Sequence, residues 1–297
     1  MRKLLYEITH TTTYDYVGTV SVSHHLLRVT PREFFKQSCI THELTILPEP
    51  RISSFHHDYF GNPSHFIAVE TPHERLSIRS RSRAAVRPAF IPDPLETPSW
   101  ESVRARCRSD HSGHALEAHE FTYGSTLIPT SDEFGDYARH SFQTDRPLFD
   151  AVSDLMRRIH TDFTFDTAAT TVTTPVADFF KQRRGVCQDF VQFQIACLRS
   201  IGLPARYVSG YLETDPPAGQ PKLRGVDASH AWASFFCPAI GWIDIDPTNN
   251  CIPSLRHITV AWGRDYGDVS PVRGVLVGGQ GQQLSVSVDV VALGPDD

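Results

Sequence analysis

Cys187 follows Arg183-Arg184-Gly185-Val186 and opens the segment 185–202, where Phe190, Phe193, Cys197 and Ile201 repeat as one apolar stripe. Val191, Ile195 and Leu198 widen the stripe, so this reads as a helix buried on most sides, closed by Gly202 and Pro204. A thiolate is favoured at a helix N-terminus, where unpaired amides and the aligned peptide dipoles attract negative charge. The same amides can receive an oxyanion. Gly185 allows a sharp turn that keeps the thiol approachable.

A nucleophilic thiol needs a base, and the base needs an orienting acid. His230 heads a strand-like run through Phe236, and a second run, Gly241–Asp246, follows it across a short turn. Alternation puts Asp244 and Asp246 on the face of Trp242, so pattern leaves both open as partners of the imidazole. A cysteine taken at random is most often a core residue. Most of the other five, at 39, 107, 197, 237 and 251, read that way: none pairs in C-x-x-C spacing, and six in 297 residues is no disulfide scaffold.

These residues need a frame. From Leu4 to about Val86 short alternating runs rich in Thr, Val, Ile, Tyr and Phe predict an all-β, sandwich-like domain over 1–90. The proline-rich stretch from Pro88 to Pro98 is an extended connector. It opens a helical region over 91–145, with Ser99 as an N-cap. A core spans 146–297. It starts with a helix over about Arg146–Ile159 that carries Pro147 in its first turn. It continues with strands at Ala205–Leu212, His230–Phe236 and Gly241–Asp246, and ends in the alternating strand LSVSVDVVAL. The fold class is α+β.

Three blocks, RRGVCQDFVQFQIACLRSIGLPARYVSGYL, DASHAWASFF and GWIDIDPTNN, resemble the transglutaminase-like superfamily, and more narrowly its bacterial branch, usually described as cysteine proteases. TTVTTPVADFF, the N-terminal HDYFGNPSHFIAV and the later HITVAWGRDYGDVSPVRGVLVGG extend the resemblance over nearly the whole chain. It implies a papain-like core with the nucleophile's helix packed on an antiparallel sheet. It also implies Cys187 as nucleophile, His230 as base and Asp246, directly before Pro247-Thr248, as the orienting acid. The chemistry implied is amide acyl transfer through a thioester. Hydrolysis of a peptide or protein amide is the first expectation, protein cross-linking the second, and a non-catalytic scaffold the third. Gln188 is a candidate donor to substrate or oxyanion. Asp189 complements the helix dipole, and Phe163 and Phe165 are candidates for core packing or an acyl pocket. Asp265 and Tyr266 fit the family pattern without an assigned role.

Other readings are set aside. Lys plus Arg is 28 against 34 Asp plus Glu, a net charge of −6, so no nucleic-acid partner is expected. Arg79, Arg81 and Arg83 read as one solvated strand face. Gly278-Gly279-Gln280-Gly281 lacks the Lys-Ser/Thr of a phosphate loop. The 15 histidines include adjacent pairs pointing to opposite strand faces and a loose set, His111, His114, His119 with Glu120, that matches no metal motif. No metal, calcium or other cofactor is expected. No membrane span is long enough, and a short apolar run broken by Glu7 is no secretory signal, so the expected location is cytoplasmic.

Overall fold

A computed structural model describes residues 3–110, 113–214, 228–238 and 240–293. His111 and Asp227 lie outside the described residues. The strands are β1 (Leu4–Leu27), β2 (Gln37–Leu47), β3 (Ile52–His57), β4 (Pro63–Val69), β5 (His73–Val86), β6 (Thr164–Phe165), β7 (Arg184–Gly185), β8 (Ala205–Leu212), β9 (Ala228–Cys237), β10 (Gly241–Ile245), β11 (His257–Gly263), β12 (Val272–Gly278) and β13 (Gln282–Leu293). The α-helices are α1 (Trp100–Ser109), α2 (Gly113–Glu120), α3 (Asp132–Arg139), α4 (Leu148–Asp162), α5 (Val176–Gln182), α6 (Cys187–Ser200) and α7 (Tyr266–Val269). None is long and apolar enough to cross a membrane.

The long strand β1 organises the N-terminal sheet. Its first half, Leu4–Tyr16, lies between β5 and β13. The register then breaks between Asp15 and Val20, and the second half pairs with β4 and β12. A single antiparallel sheet of seven strands thus curls on itself in a sandwich-like way around Tyr16, Val20, Leu27, Ile67, Leu76 and Ile78. The terminal alternating strand, β13, belongs to this sheet and pairs with β1 from Leu5↔Leu293 to Tyr16↔Gln282. Arg79, Arg81 and Arg83 face outward, and Arg81 and Arg83 meet Glu7 across the strands. Such exposed pairs contribute little stability.

The second layer is the antiparallel sheet β10-β9-β8-β11. Helix α6 packs on it, and residues 188–199 are all buried. Its apolar stripe meets the core, and Gln188, Asp189, Gln192, Gln194 and Arg199 are buried with it. Ser99 caps α1 through Ser102 N–H, and Gly202 leaves α6 with φ +79, a conformation glycine adopts at little cost. Tyr6, Ile8, Ala84, Val86, Val288 and Val290 of the N-terminal sheet join the same core as α6, β8 and β9. Polar contacts pin the two layers together. Gln37 exchanges two side-chain hydrogen bonds with the backbone of Thr259, and His10 Nδ1 meets Tyr211 OH at 2.9 Å.

Candidate active site

Cys187 is the first residue of α6 and is half-buried, whereas Cys107, Cys197 and Cys237 are fully buried. Two-residue parallel strands, β6 and β7, fix the approach to it. Gly185 is needed there for close packing: a Cβ would come within 2.5 Å of Asp189 Oδ2 and 2.8 Å of the Phe179 ring. Asp189 accepts from Val186 N–H at 2.8 Å and from Thr170 Oγ1 at 2.6 Å. This is half of a capping box, because Val186 has no side-chain oxygen to complete it. Burial raises the Asp189 pKa above the usual carboxylate range. With Asp189 N–H held by Val186 O, the amides of Cys187 and Gln188 stand at the helix mouth without an acceptor inside the helix.

Gln188 is buried, and its Nε2 donates to Val172 O at 3.0 Å. Its amide therefore holds the 166–174 loop beside the nucleophile. Phe163 is buried in an aromatic cluster with Phe179, Phe190 and Phe193, so it is core; Phe165 is exposed.

His230, on β9, is 8% exposed, hydrogen-bonds Asp246, and lies near enough to Cys187 for the thiol to act on its charge. Its Nε2 lies 2.7 Å from Asp246 Oδ2, which leaves Nδ1 as the ring nitrogen available to the thiol. Asp246 is fully buried just past β10, in a bridge with Cys251. Its Oδ1 accepts from Thr248 N–H and Asn249 N–H at 3.0 and 3.1 Å. Its Oδ2 is shared by His230, Asn249 Nδ2 at 2.7 Å and His257 Nε2 at 3.2 Å. Burial opposes charge on both members of the pair. For His230 the hydrogen bond to Asp246 and the nearness of Cys187 outweigh burial and push its pKa up. For Asp246 the hydrogen bonds from His230, His257 and Asn249 outweigh burial and hold it well below the usual carboxylate range. Chemically this is a thiol, an imidazole stabilised in its charged form, and a buried carboxylate with every lone pair occupied.

Asp244, which alternation alone could not separate from Asp246, points elsewhere and pairs with Lys36 Nζ at 2.9 Å. Among the described residues, His230, Asp246 and His257 offer one ligand atom each within 4.8 Å of one another. Those atoms are already joined by hydrogen bonds through one carboxylate oxygen, so a metal held there would displace the link between base and acid. His119 meets Tyr123, and His114 faces Glu117.

Residues 6–85 match the bacterial transglutaminase-like N-terminal region, and residues 136–247 match the transglutaminase-like superfamily. An uncharacterized protein of Mycobacterium tuberculosis is 41% identical over 295 residues, covering 96% of this chain and 92% of that one. The chain belongs to the transglutaminase-like superfamily. Membership supports a cysteine-dependent activity in general terms. The crystal structure of a putative cysteine protease from Cytophaga hutchinsonii has the same fold, with a TM-score of 0.78 at 18% identity over 100% of this chain and 93% of that one. The protein-glutamine gamma-glutamyltransferase of Pseudomonas aeruginosa is 38% identical over 80 residues, which is 26% of this chain and 12% of that protein.

His257 and Asn249 also hydrogen-bond Asp246, and neither was singled out from sequence. Asn249 follows the Asp-Pro-Thr block by one residue and was within reach of that pattern. His257 reaches Asp246 from β11, so its role depends on the pairing of β11 with β8, which no local spacing reveals. Asp265 gains a structural role: it caps α7 through Gly267 N–H and accepts from Leu127 N–H. Tyr266 packs edge-on against Tyr207.

Proposed function

We propose that this protein is a cysteine amidohydrolase acting on peptide or protein amides, with Cys187, His230 and Asp246 as its catalytic residues. The observation that carries the proposal is His230 hydrogen-bonded at 2.7 Å to a fully buried carboxylate, with the helix-mouth thiol of Cys187 near enough to act on its charge. The thiol proton passes to His230 Nδ1, and the sulfur attacks the amide carbonyl carbon. The oxyanion so formed accepts from Cys187 N–H at the start of α6. The imidazolium gives its proton to the leaving amine as the C–N bond breaks, leaving a thioester on Cys187. Water, deprotonated by His230, attacks that thioester; the acid departs and the thiol is restored.

The same thioester can pass to an amine. The name of the Pseudomonas relative supports that second reading over the matched segment alone, while the name of the Cytophaga structure supports hydrolysis. The test is turnover of a blocked peptide-amide library in water, with and without a fluorescent primary amine. Acid product, no amine incorporation and no turnover by Cys187→Ala are expected. Amine incorporation as the main product would replace hydrolysis by transfer. Turnover by Cys187→Ala, or a folded protein whose Cys187 is inert to thiol reagents, would sink the thioester mechanism.

A further inference from the structure

A second cavity, of about 1280 Å³, lies between the 32–36 and 59–61 segments, α2 and the sheet face bearing Arg206, Trp242 and Trp262. Cys187, His230 and Asp246 are not among the residues that line it, so the cavity is separate from the catalytic group.

Its floor has a charge without a counter-ion. Arg206 is 8% exposed, and its guanidinium carbon lies 4.3 Å from the Trp242 ring centre and 3.9 Å from that of Trp262. Arg32 stands over Trp262 as well, at 3.5 Å. The Nε atoms of both arginines are buried with no hydrogen-bond partner among the described residues. Arg32 satisfies its other nitrogens with neutral acceptors, Asn62 Oδ1 and Phe60 O. The acid whose charge Arg206 feels, Asp244, is engaged by Lys36. Glu117 and Glu120 also line the cavity, but both belong to α2, where Glu117 is solvent-exposed and Glu120 accepts from Tyr59 OH. On the floor three cations, Arg32, Arg206 and Lys36, face Asp244, while Asp58, which acts on Arg32 from beside the cavity, is held by Arg28. Burial pushes the Arg206 pKa down to about 9, with Asp244 opposing and Arg32 adding to the effect. An unpaired buried guanidinium is costly. A planar two-oxygen anion is its natural complement.

We infer that this cavity binds a carboxylate carried on an apolar or aromatic body, with Arg206 as the anion's partner and Trp242 and Trp262 as its walls. The inference does not rest on the thioester chemistry. A carboxylate fits better than a phosphate because few donors are free and the walls are aromatic: Phe34, Phe60, Phe121 and Phe236 line them. The C-terminus of a peptide and a free aromatic acid share this chemistry.

The test uses the full chain as Cys187→Ala, so that turnover cannot consume the probe. Calorimetry compares N-acetyl-Phe-Phe as free acid, the same peptide as C-terminal amide, and 3-phenylpropionate. The free acid is expected to bind at least about tenfold tighter than the amide, the loss of one charge-assisted pair. Arg206→Met is expected to abolish that preference. Displacement of the peptide by 3-phenylpropionate at similar concentration supports the site and names a small acid as its ligand; peptide binding without displacement supports it and names a peptide terminus. Equal binding of acid and amide, or no binding of any probe at millimolar concentration, overturns it. The acid–amide comparison on the unmutated cavity decides the matter even if Arg206→Met fails to fold.

Discussion

Replacing Asp246 by Asn changes one atom and reverses the hydrogen-bond logic around it. Oδ1 can stay a carbonyl and keep Thr248 N–H and Asn249 N–H. The position of Oδ2 then becomes an amide NH₂ facing the Asn249 amide nitrogen at 2.7 Å, His230 Nε2 at 2.7 Å and His257 Nε2 at 3.2 Å. His230 avoids the donor clash only by taking the tautomer with its proton on Nδ1. That nitrogen then faces Cys187 as a donor and cannot take the thiol's proton. The imidazolium also loses its counter-charge. At an effective interior dielectric of about 20, a charge pair near 4 Å is worth about 4 kcal/mol, or about three decades in imidazolium population. The readout is the rate of Cys187 alkylation by iodoacetamide at pH 6.5, followed by intact mass. An ordinary thiol is about 1% ionised there, so the observable fall cannot exceed about 100-fold from a fully formed thiolate. We expect a fall of about 10- to 100-fold with the melting temperature retained. An unchanged rate in a folded Asp246→Asn variant would remove Asp246 from the role given to it.

Three further expectations follow from other parts of the molecule. Gly210→Ala would place a Cβ 2.1 Å from Ile258 O and 2.5 Å from the Trp232 ring, so β8 and β11 must separate; a loss of about 3 kcal/mol in urea unfolding is expected, and wild-type stability would contradict the packing. Lys36→Met leaves Asp244 without its ion-pair partner, both side chains being under 15% exposed, and should cost about 3 kcal/mol, much of it recovered in the double variant with Asp244→Asn; additive losses would show that the pair is not coupled. Acid stability depends on His10, which burial pulls down to about 4 from an unfolded value near 6.5. Its contribution is complete above about pH 6.5 and is lost as pH falls toward 4, because the unfolded chain takes up the proton first. That window is worth about 3 kcal/mol, and His25, also lowered to about 4 by burial, adds to it. A urea midpoint equal at pH 7 and pH 4.5 would refute this.

Local patterning located the parts whose reason is local. The stripe of Phe190, Phe193, Cys197 and Ile201 gave α6 and its end at Gly202, and β8 runs over Ala205–Leu212 as alternation predicts. The α+β class was legible for the same reason, and the transglutaminase-like core through the family resemblance of the Cys, His and Asp-Pro-Thr blocks. Asp244 and Asp246 share a face, so alternation could not rank them; what divides them is Lys36, over 200 residues away in the chain. Gln188 looked like a donor to substrate because a polar residue at a helix mouth faces either solvent or a ligand, and the Val172 carbonyl that accepts its hydrogen bond lies on a loop with no periodicity. His257 and Arg206 lie inside blocks of the family resemblance, but nothing in those blocks singled them out. Their importance comes from what the folded sheets bring near, a shared carboxylate for one and two tryptophan faces for the other.

The pairing of β13 with β1 also sets an order of events during synthesis. Residues 5–16 leave the ribosome long before their partners at 282–293, which come after the whole α6-bearing core. At about 5–20 residues per second the gap is roughly 15–60 s, during which β1 has β5 on one side and an open edge on the other. Tyr6 and Ile8 have no Val288 or Val290 beside them in that interval. Closing so long a loop adds little entropy cost, since the cost grows only logarithmically with length. The arrangement is therefore inexpensive at equilibrium and demanding in time, and the nascent chain is most open to edge-to-edge association just before β13 emerges.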